Sequence, residues 1–168
     1  ARILAARSGV TVQAMRAGTR ERDDWDRMNT AVGASMAWPM FIDDTPAATV
    51  AYVRAKARRI QRAHGLGLVV IDYLGLMRGT GDNRTQEVGS ISRGLKALAK
   101  ELKVPVIALA QLNRASEGRP NRQPTLADLR DSGEIEQDAD IVAMLHREDM
   151  HRTAPEWAGL AQMFIRKN

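Results

Sequence analysis

Two apolar stretches decide the fold of this chain: LGLVVID at residues 66–72 and VPVIALAQ at residues 104–111. Neither alternates apolar with polar residues, which is typical of parallel strands covered by helices on both faces of a sheet. Between them an apolar stripe with spacings of 3, 4, 3 and 4 predicts an amphipathic helix, formed by Val88, Ile91, Leu95, Leu98 and Leu102. A strand, a helix and a second strand in this order predict an α/β fold.

Three further helices are predicted upstream of these stretches. The first covers residues 1–7, and the second starts at Thr19 and ends before Pro39. The third runs from Thr49 to His64 and ends at a glycine, which suits a C-terminal stop. The second helix is expected to have an apolar face formed by Trp25, Met28, Val32 and Met36.

Further strands are expected at MFIDD, IVAMLH and AQMFIRK, which makes about five strands in all. The polar stretch at residues 113–124 is rich in Arg, Gly and Pro, so it is expected to form a long functional loop. The residues between the last two strands suit a hairpin-like or irregular connection.

Composition excludes several classes of protein. The chain has 168 residues, of which 44% are hydrophobic and 27% charged, as expected of one soluble globular domain. It has no cysteine, which excludes disulfides, thiolate zinc sites and cysteine nucleophiles. No apolar run approaches the roughly 20 residues of a membrane-spanning helix, so a cytoplasmic protein without membrane contact is the expectation. The net charge of +5 permits a polyanionic partner, and aromatic residues at 4% favour phosphate contacts over base stacking.

Polar residues follow the predicted strands, at the sheet edge where ligands of open parallel sheets bind. Asp72 ends an apolar strand, which is the Walker B arrangement that holds a carboxylate at the magnesium of a bound nucleotide. The alternative is an aspartate that only caps the next turn. Gln111 ends the next strand, where an amide is placed to sense a γ-phosphate; the alternative is an ordinary loop amide.

Several long motifs together resemble one family. They are LGLVVIDYLGLM, DNRTQEV, ISRGLKALAKELKVPVIALAQLNRASEGRP and LRDSGEIEQDAD, with FIDDTPAATV, RAG and DDWDRM before them. In order and separation they resemble the C-terminal motor domain of DnaB-type replicative DNA helicases. The resemblance implies an incomplete RecA-like α/β core, with a mostly parallel twisted sheet flanked by helices. It also implies a homo-hexameric ring around single-stranded DNA that couples ATP hydrolysis to 5′ to 3′ translocation and duplex unwinding.

The resemblance also implies roles for individual residues. Asp72 matches the Walker B aspartate, which serves ATP and Mg²⁺, and Gln111 matches the glutamine that contacts the γ-phosphate. Lys167 matches a lysine that reaches into the neighbouring subunit's nucleotide site, so Gln111 and Lys167 are the candidate catalytic residues. Arg147 stands where relatives have an arginine near the adenine.

The DNA-binding loop is implied at Arg130, Asp131 and Gly133, where a guanidinium and backbone N–H groups suit phosphate recognition. The family usually has glutamate at the position of Asp131. It usually has a small residue at the position of Arg166 and an acidic one at that of Gln162, and neither departure is expected to touch the chemistry.

Parts of the family's machinery are absent from the 168 residues. They contain no GxxxxGK[ST] phosphate-binding loop. The family's catalytic glutamate would precede Ala1, and its arginine finger would follow Asn168. Residues 1–168 are therefore expected to be a partial RecA-like helicase domain, inactive alone, from a parent enzyme that meets a primase and a helicase loader.

Two other interpretations remain open. One is a non-catalytic module that keeps ring-forming or DNA-binding surfaces and has lost nucleotide binding. The other is a RecA-type recombinase or a clock-type RecA-like ATPase, whose equivalents carry LRDSGEIEQDAD less closely.

Asp138 and Asp140, which flank an alanine in that segment, are expected to make structural hydrogen bonds. The basic face of the predicted helix from Thr49 to His64 is interpreted as solvated, with a subunit contact as the alternative.

Overall fold

The computed structural model describes residues 1–18, 21–113, 123–129, 133–148 and 158–168, which form two compact units, residues 1–43 and 44–168. The helices are α1 (Arg2–Ser8), α2 (Val12–Ala17), α3 (Arg22–Met36), α4 (Val50–His64), α5 (Arg84–Leu102) and α6 (Gly133–Asp138). The strands are β1 (Val69–Ile71), β2 (Val106–Ala108), β3 (Val142–His146) and β4 (Gln162–Lys167). Two short 3₁₀ helices cover Leu74–Leu76 and Leu126–Asp128. Within the described ranges, no helix combines the length and apolar content needed to cross a membrane.

In the N-terminal unit, α1 packs against α3. The prediction that α3 packs through the face of Trp25, Met28, Val32 and Met36 is wrong. Helix α3 buries Asp24 and Ala31, whereas Trp25 is 50% and Met36 is 83% exposed. Asp24 and Ala31 lie seven residues apart and share one face, and the predicted stripe begins one residue later, about 100° around the helix. The N-cap is Glu21, and Thr19 lies outside the described residues. Tertiary contact with the seven-residue α1 selects the face that periodicity alone does not.

Helix α5 forms the centre of the second unit, as the sequence predicts. All five residues of its apolar stripe are buried, and Ile91 and Leu98 are 0% exposed. Four of the five pack with Ala57 of α4 in one core cluster, namely Ile91, Leu95, Leu98 and Leu102. A Cβ on Gly94 would lie 2.9 Å from Val50 Cγ1, so the absence of a side chain at Gly94 lets α4 approach α5 closely.

The predicted parallel pairing of the two central strands is confirmed. Strand β1 pairs with β2 in the register Val69↔Val106 to Ile71↔Ala108. The prediction that both faces are covered is wrong for the described residues. Val69, Ile71 and Val106 pack against the core beneath α4 and α5, whereas Val70 is 55% and Ile107 is 49% exposed.

The remaining strands form a separate antiparallel pair, β3 with β4, with a bulge between Val142 and Ala143. The predicted strand MFIDD is wrong, because residues 40–44 have no strand structure and Ile42 is 77% exposed. An apolar run becomes a strand only when its backbone finds a partner, and the chain first pairs later, through the bridge between Thr49 and Arg78.

Candidate functional site

The parallel strand pair brings Asp72 and Gln111 to one edge of the sheet. Beyond the strand ends, the Leu109 N–H donates to Ile71 O at 2.9 Å, and the Leu74 N–H donates to Leu109 O at 2.9 Å. Leu109 is thus hydrogen-bonded on both sides of Asp72, and Gln111 follows two residues later. Both side chains are exposed, and the peptide bond between Asp72 and Tyr73 is cis.

This edge suits a magnesium ion that arrives with a phosphate ligand. Mg²⁺ is usually held by one or two protein carboxylates together with substrate phosphates and water, and Asp72 offers one exposed carboxylate. In the part of the chain that the structure describes, no group of three or more His, Cys, Asp or Glu residues gathers as a metal cage.

The glycine-rich loop between β1 and α5 is fastened to the first turns of α5. The Gly79 N–H donates to Glu87 Oε1 at 3.1 Å, and the Thr80 N–H donates to Ser90 Oγ at 2.9 Å. Arg84 donates to Gly75 O at 3.0 Å. The Gly79 N–H bond, and then the Arg84 guanidinium, lower the pKa of the Glu87 carboxyl. These hydrogen bonds were not predicted from the sequence. The available signal was the pair Glu87 and Ser90, two hydrogen-bond acceptors one helical turn apart on α5.

The continuation of β2 is bonded to the segment that enters the predicted DNA loop. The Asn113 N–H donates to Asp128 O at 2.9 Å. The Asp128 carboxylate accepts from Thr125 N at 2.7 Å and from Thr125 Oγ1 at 3.1 Å, and Asp128 is only 1% exposed. We call residues 123–129 the entry segment, because Arg130 follows it directly. Gln111 and the entry segment are thus connected through two residues of backbone and one hydrogen bond.

Of the predicted DNA-binding residues, only Gly133 can be located. Arg130 and Asp131 lie outside the described residues. Gly133 is the exposed first residue of α6, and a Cβ built on it would meet no atom of the described residues within 4 Å. Among the described residues, nothing therefore fills the space where a side chain would lie at Gly133.

Arg93 of α5 forms an ion pair with Glu134 of α6, and Lys96 of α5 forms one with Asp140, which lies two residues after α6. The hydrogen bond and charge of Lys96 lower the pKa of Asp140. The predicted structural role is confirmed for Asp140, whereas Asp138 Oδ2 is buried with no hydrogen-bond partner among the described residues. These contacts hold the described chain that follows the predicted DNA-binding loop against α5.

The basic face of α4 is partly paired within the chain. Glu101 of α5 accepts a 2.5 Å bond from Arg58 Nε and lies 3.3 Å from Arg54 Nε. Gln61 on the same helix donates to Leu102 O at 2.9 Å. Two of the arginines on this face therefore help to hold α4 on α5.

The antiparallel pair places Lys167 and Arg147 at opposite ends. Val142 pairs with Lys167 and His146 pairs with Gln162, so Arg147, which follows His146, leaves from the far end. At about 3.4 Å per residue, the ends lie roughly 15 Å apart. Arg147 is exposed, and buried His146 is 2.8 Å from Glu148.

The Lys167 side chain makes hydrogen bonds within this chain. Its Nζ donates to Glu136 O at 2.6 Å and to Gln137 O at 3.2 Å, and both carbonyls belong to the last turn of α6. A cation is favourable there, because a helix C-terminus carries partial negative charge. An open pocket of about 650 Å³ lies beside it, lined partly by Lys96 and Lys100.

The geometry agrees with a comparison against known proteins. The family model described as DnaB-like helicase C-terminal domain matches residues 1–168 of this chain. The chain belongs to this DnaB-like family. The prediction of the family from the sequence motifs is therefore confirmed.

Curated DnaB-like relatives are similar along almost the whole chain. The replicative DNA helicase DnaB of Geobacillus stearothermophilus is 46% identical over 169 residues, which cover 99% of this chain and 37% of the relative. The replicative DNA helicase DnaC of Bacillus subtilis is 45% identical over 169 residues, with the same coverage of 99% and 37%. The chain thus spans little more than a third of the length of these relatives.

Solved structures of similar proteins share the fold. A DnaB-like replicative helicase, described with its interactions with primase, matches with a TM-score of 0.92 and 35% identity over 99% of this chain and 42% of its own. A second structure, described as an ATPase domain, matches with a TM-score of 0.91 and 34% identity over 99% of this chain and 61% of its own. The predicted RecA-like α/β fold class is confirmed by these matches.

Proposed function

We propose that residues 1–168 are part of one RecA-like motor domain in a hexameric, ATP-dependent replicative DNA helicase. The parent protein couples ATP hydrolysis to 5′ to 3′ translocation on single-stranded DNA and so unwinds duplexes. The observation that carries this proposal is the connection from the sheet edge of Asp72 and Gln111 to the entry segment through Asn113 and Asp128. It joins a surface suited to nucleotide with a loop suited to DNA phosphates.

At the sheet edge, Asp72 supplies the carboxylate for Mg²⁺ and Gln111 the amide for the γ-phosphate of ATP. Both side chains are exposed at the end of a rigid strand pair, as a ligand site needs. The metal, when bound, neutralises phosphate charge. Asp72 positions the metal, and Gln111 distinguishes the presence of the terminal phosphate from its absence.

The DNA contacts are assigned to Arg130, Asp131 and Gly133. The guanidinium of Arg130 supplies charge for the phosphate backbone. The exposed position of Gly133 supports close approach of a phosphate, because no side chain of the described residues lies where a Cβ of Gly133 would be. Binding of this type reads the DNA backbone rather than its sequence, as translocation along any sequence requires.

Lys167 and Arg147 are assigned to nucleotide binding at different subunits. Their positions at opposite ends of the β3–β4 pair support this division, with Arg147 near the adenine of one site and Lys167 reaching the neighbour's nucleotide. Lys167 must release the carbonyls of Glu136 and Gln137 to reach across.

Primase is the proposed protein partner with the most direct support, since a similar DnaB-like helicase is described with its interactions with primase. A helicase loader is the second proposed partner. We assign the protein to the cytoplasm, where such an enzyme meets the chromosome.

The proposal is tested with Gln111→Ala in the full-length protein. The change removes one hydrogen bond to phosphate, worth about 1–3 kcal/mol if charge-assisted, so ATP should still bind. Single-strand affinity is measured with ADP and with a non-hydrolysable ATP analogue, together with duplex unwinding. The expected result is loss of the affinity difference between the two nucleotides and loss of unwinding.

Gln13→Ala is the matched control, because it removes the same amide from an exposed position on α2. It should leave both measurements unchanged. If the unmodified full-length protein binds single-stranded DNA without any response to nucleotide and unwinds nothing, the non-catalytic module is the correct interpretation.

A further inference from the structure

Arg166 makes two contacts that the sequence did not lead us to expect. Its Nε donates to Pro124 O at 3.1 Å, and its guanidinium carbon lies 4.6 Å from the centre of the Phe164 ring. Phe164 lies two residues earlier on β4, so the ring and the carbonyl together fix the guanidinium in one orientation. Arg166 therefore bonds β4 to the entry segment.

The entry segment is held on two sides. Arg166 bonds to its Pro124 carbonyl from β4, and Asn113 bonds to its Asp128 carbonyl from the continuation of β2. Between the two points, the Thr125 and Asp128 capping box makes the segment locally rigid. Both strand ends are thus hydrogen-bonded to the segment that precedes Arg130.

We propose that Arg166 is a positioning residue that couples Lys167, its neighbour on β4, to the DNA loop by holding the Pro124 carbonyl of the entry segment. The inference rests on the proposed function, since it assumes that Lys167 responds to nucleotide and that the loop after the entry segment binds DNA. It adds a second route to that loop, from the neighbouring subunit's nucleotide, beside the route from Gln111.

The physical basis is the short distance along one strand. Arg166 and Lys167 are consecutive residues of β4, so a displacement of the strand backbone at Lys167 also displaces Arg166. In this structure the Lys167 ammonium is bonded to carbonyls of α6. When Lys167 leaves them for a nucleotide, the shift of β4 pulls on the Pro124 carbonyl. Coupling of this kind needs a bonded element that both sites displace, and the entry segment is that element.

The test uses Arg166→Met in the full-length hexamer, a change that keeps the apolar stem and removes the donor and the charge. The measured quantity is the ratio of single-strand dissociation constants with ADP and with a non-hydrolysable ATP analogue. The ratio should move toward one by about tenfold, the order of effect of one lost charge-assisted hydrogen bond. Arg166→Lys keeps a cation and a donor and should retain most of the ratio.

Arg62→Ala is the charge-matched control, because it removes one positive charge from an exposed position on α4. It should leave the ratio unchanged, and the unfolding temperature of each variant is measured beside it. If Arg166→Met does not fold, Arg166→Gln, which loses the charge and the ring contact, is judged by the same ratio. An unaltered ratio in a folded Arg166→Met or Arg166→Gln protein overturns the inference, and so does an equal loss in Arg166→Lys. If the unmodified protein shows no nucleotide-dependent ratio at all, the proposed function fails and the inference fails with it.

Discussion

The two strand pairs of the second unit hold their candidate residues in different ways. At the β1–β2 edge the structure is held by backbone hydrogen bonds, and Asp72 and Gln111 are left exposed. At the β3–β4 pair, Arg166 and Lys167 use their own side chains to hold Pro124 and the end of α6. Substitutions at the first edge should therefore change function without changing stability, and substitutions at the second should change both.

The largest expected effect is at Asp72. Asp72→Asn removes the carboxylate that we assign to the metal, so Mg²⁺-dependent ATP hydrolysis by the full-length protein should fall by about 100-fold or more. The free energy of unfolding should stay within about 0.5 kcal/mol, because the side chain is exposed. Steady-state hydrolysis and denaturant unfolding are measured on the same preparations, with Asp44→Asn as an exposed control. A large loss of stability would show that Asp72 serves the fold, and the comparison of the two pairs would break down.

Gly133 offers a test of the DNA side that does not disturb folding. A Cβ there meets no atom of the described residues within 4 Å, and alanine is the better helix former. If a DNA phosphate approaches this backbone, Gly133→Ala should weaken single-strand binding by about tenfold, equally for all sequences, with no loss of stability. Fluorescence anisotropy with two unrelated single strands measures this. Unchanged affinity would remove Gly133 from the DNA site.

At the second strand pair, Lys167→Met should affect stability and hydrolysis together. The variant loses two hydrogen bonds to α6 carbonyls, which costs about 1–2 kcal/mol of unfolding free energy. Hydrolysis should fall as well, if Lys167 also serves the neighbouring site. Lys100→Met is the control, because Lys100 is an exposed lysine near the same pocket. A loss of hydrolysis with full stability would mean that the bonds to α6 contribute nothing to the fold.

The smallest effect is expected at Glu87, whose pKa is lowered chiefly by the Gly79 N–H bond and then by Arg84. A lowered pKa in the folded state contributes stability above the ordinary glutamate pKa, and that contribution is lost as pH falls through the lowered value. Glu87→Gln should therefore flatten the dependence of Tm on pH below about pH 4.3. Thermal unfolding from pH 3 to pH 6 measures this. Parallel curves for the two proteins would exclude a contribution from Glu87.

Helices α5 and α3 show how far periodicity predicts packing. The stripe from Val88 to Leu102 is buried as predicted, because α5 shares one core with α4 and with both central strands. The stripe from Trp25 to Met36 has similar spacing, yet α3 buries the face of Asp24 and Ala31 instead. Periodicity shows that a helix has an apolar face, but the neighbouring elements determine whether that face is covered.

In the candidate site, too, sequence patterns predicted some features and the tertiary structure decided others. The apolar runs ending at Asp72 and Gln111 predicted a shared edge, because parallel strands end on the same side of a sheet. No pattern predicted the bonds from Asn113 to Asp128 and from Arg166 to Pro124, since each joins residues far apart in sequence through a backbone carbonyl. Every residue has such a carbonyl, so the sequence carries no mark of which one accepts.

The sequence by itself determined the α/β class, the family, helices α4 and α5, and the residue types at the ends of the strands, because these depend on local periodicity and on motifs of consecutive residues. The tertiary structure decided which apolar faces are covered, that MFIDD is not a strand, that Arg147 and Lys167 lie at opposite ends of one strand pair, and that Arg166 holds the entry segment. These features depend on hydrogen bonds and contacts between distant residues, and such pairings exist only once the chain has folded.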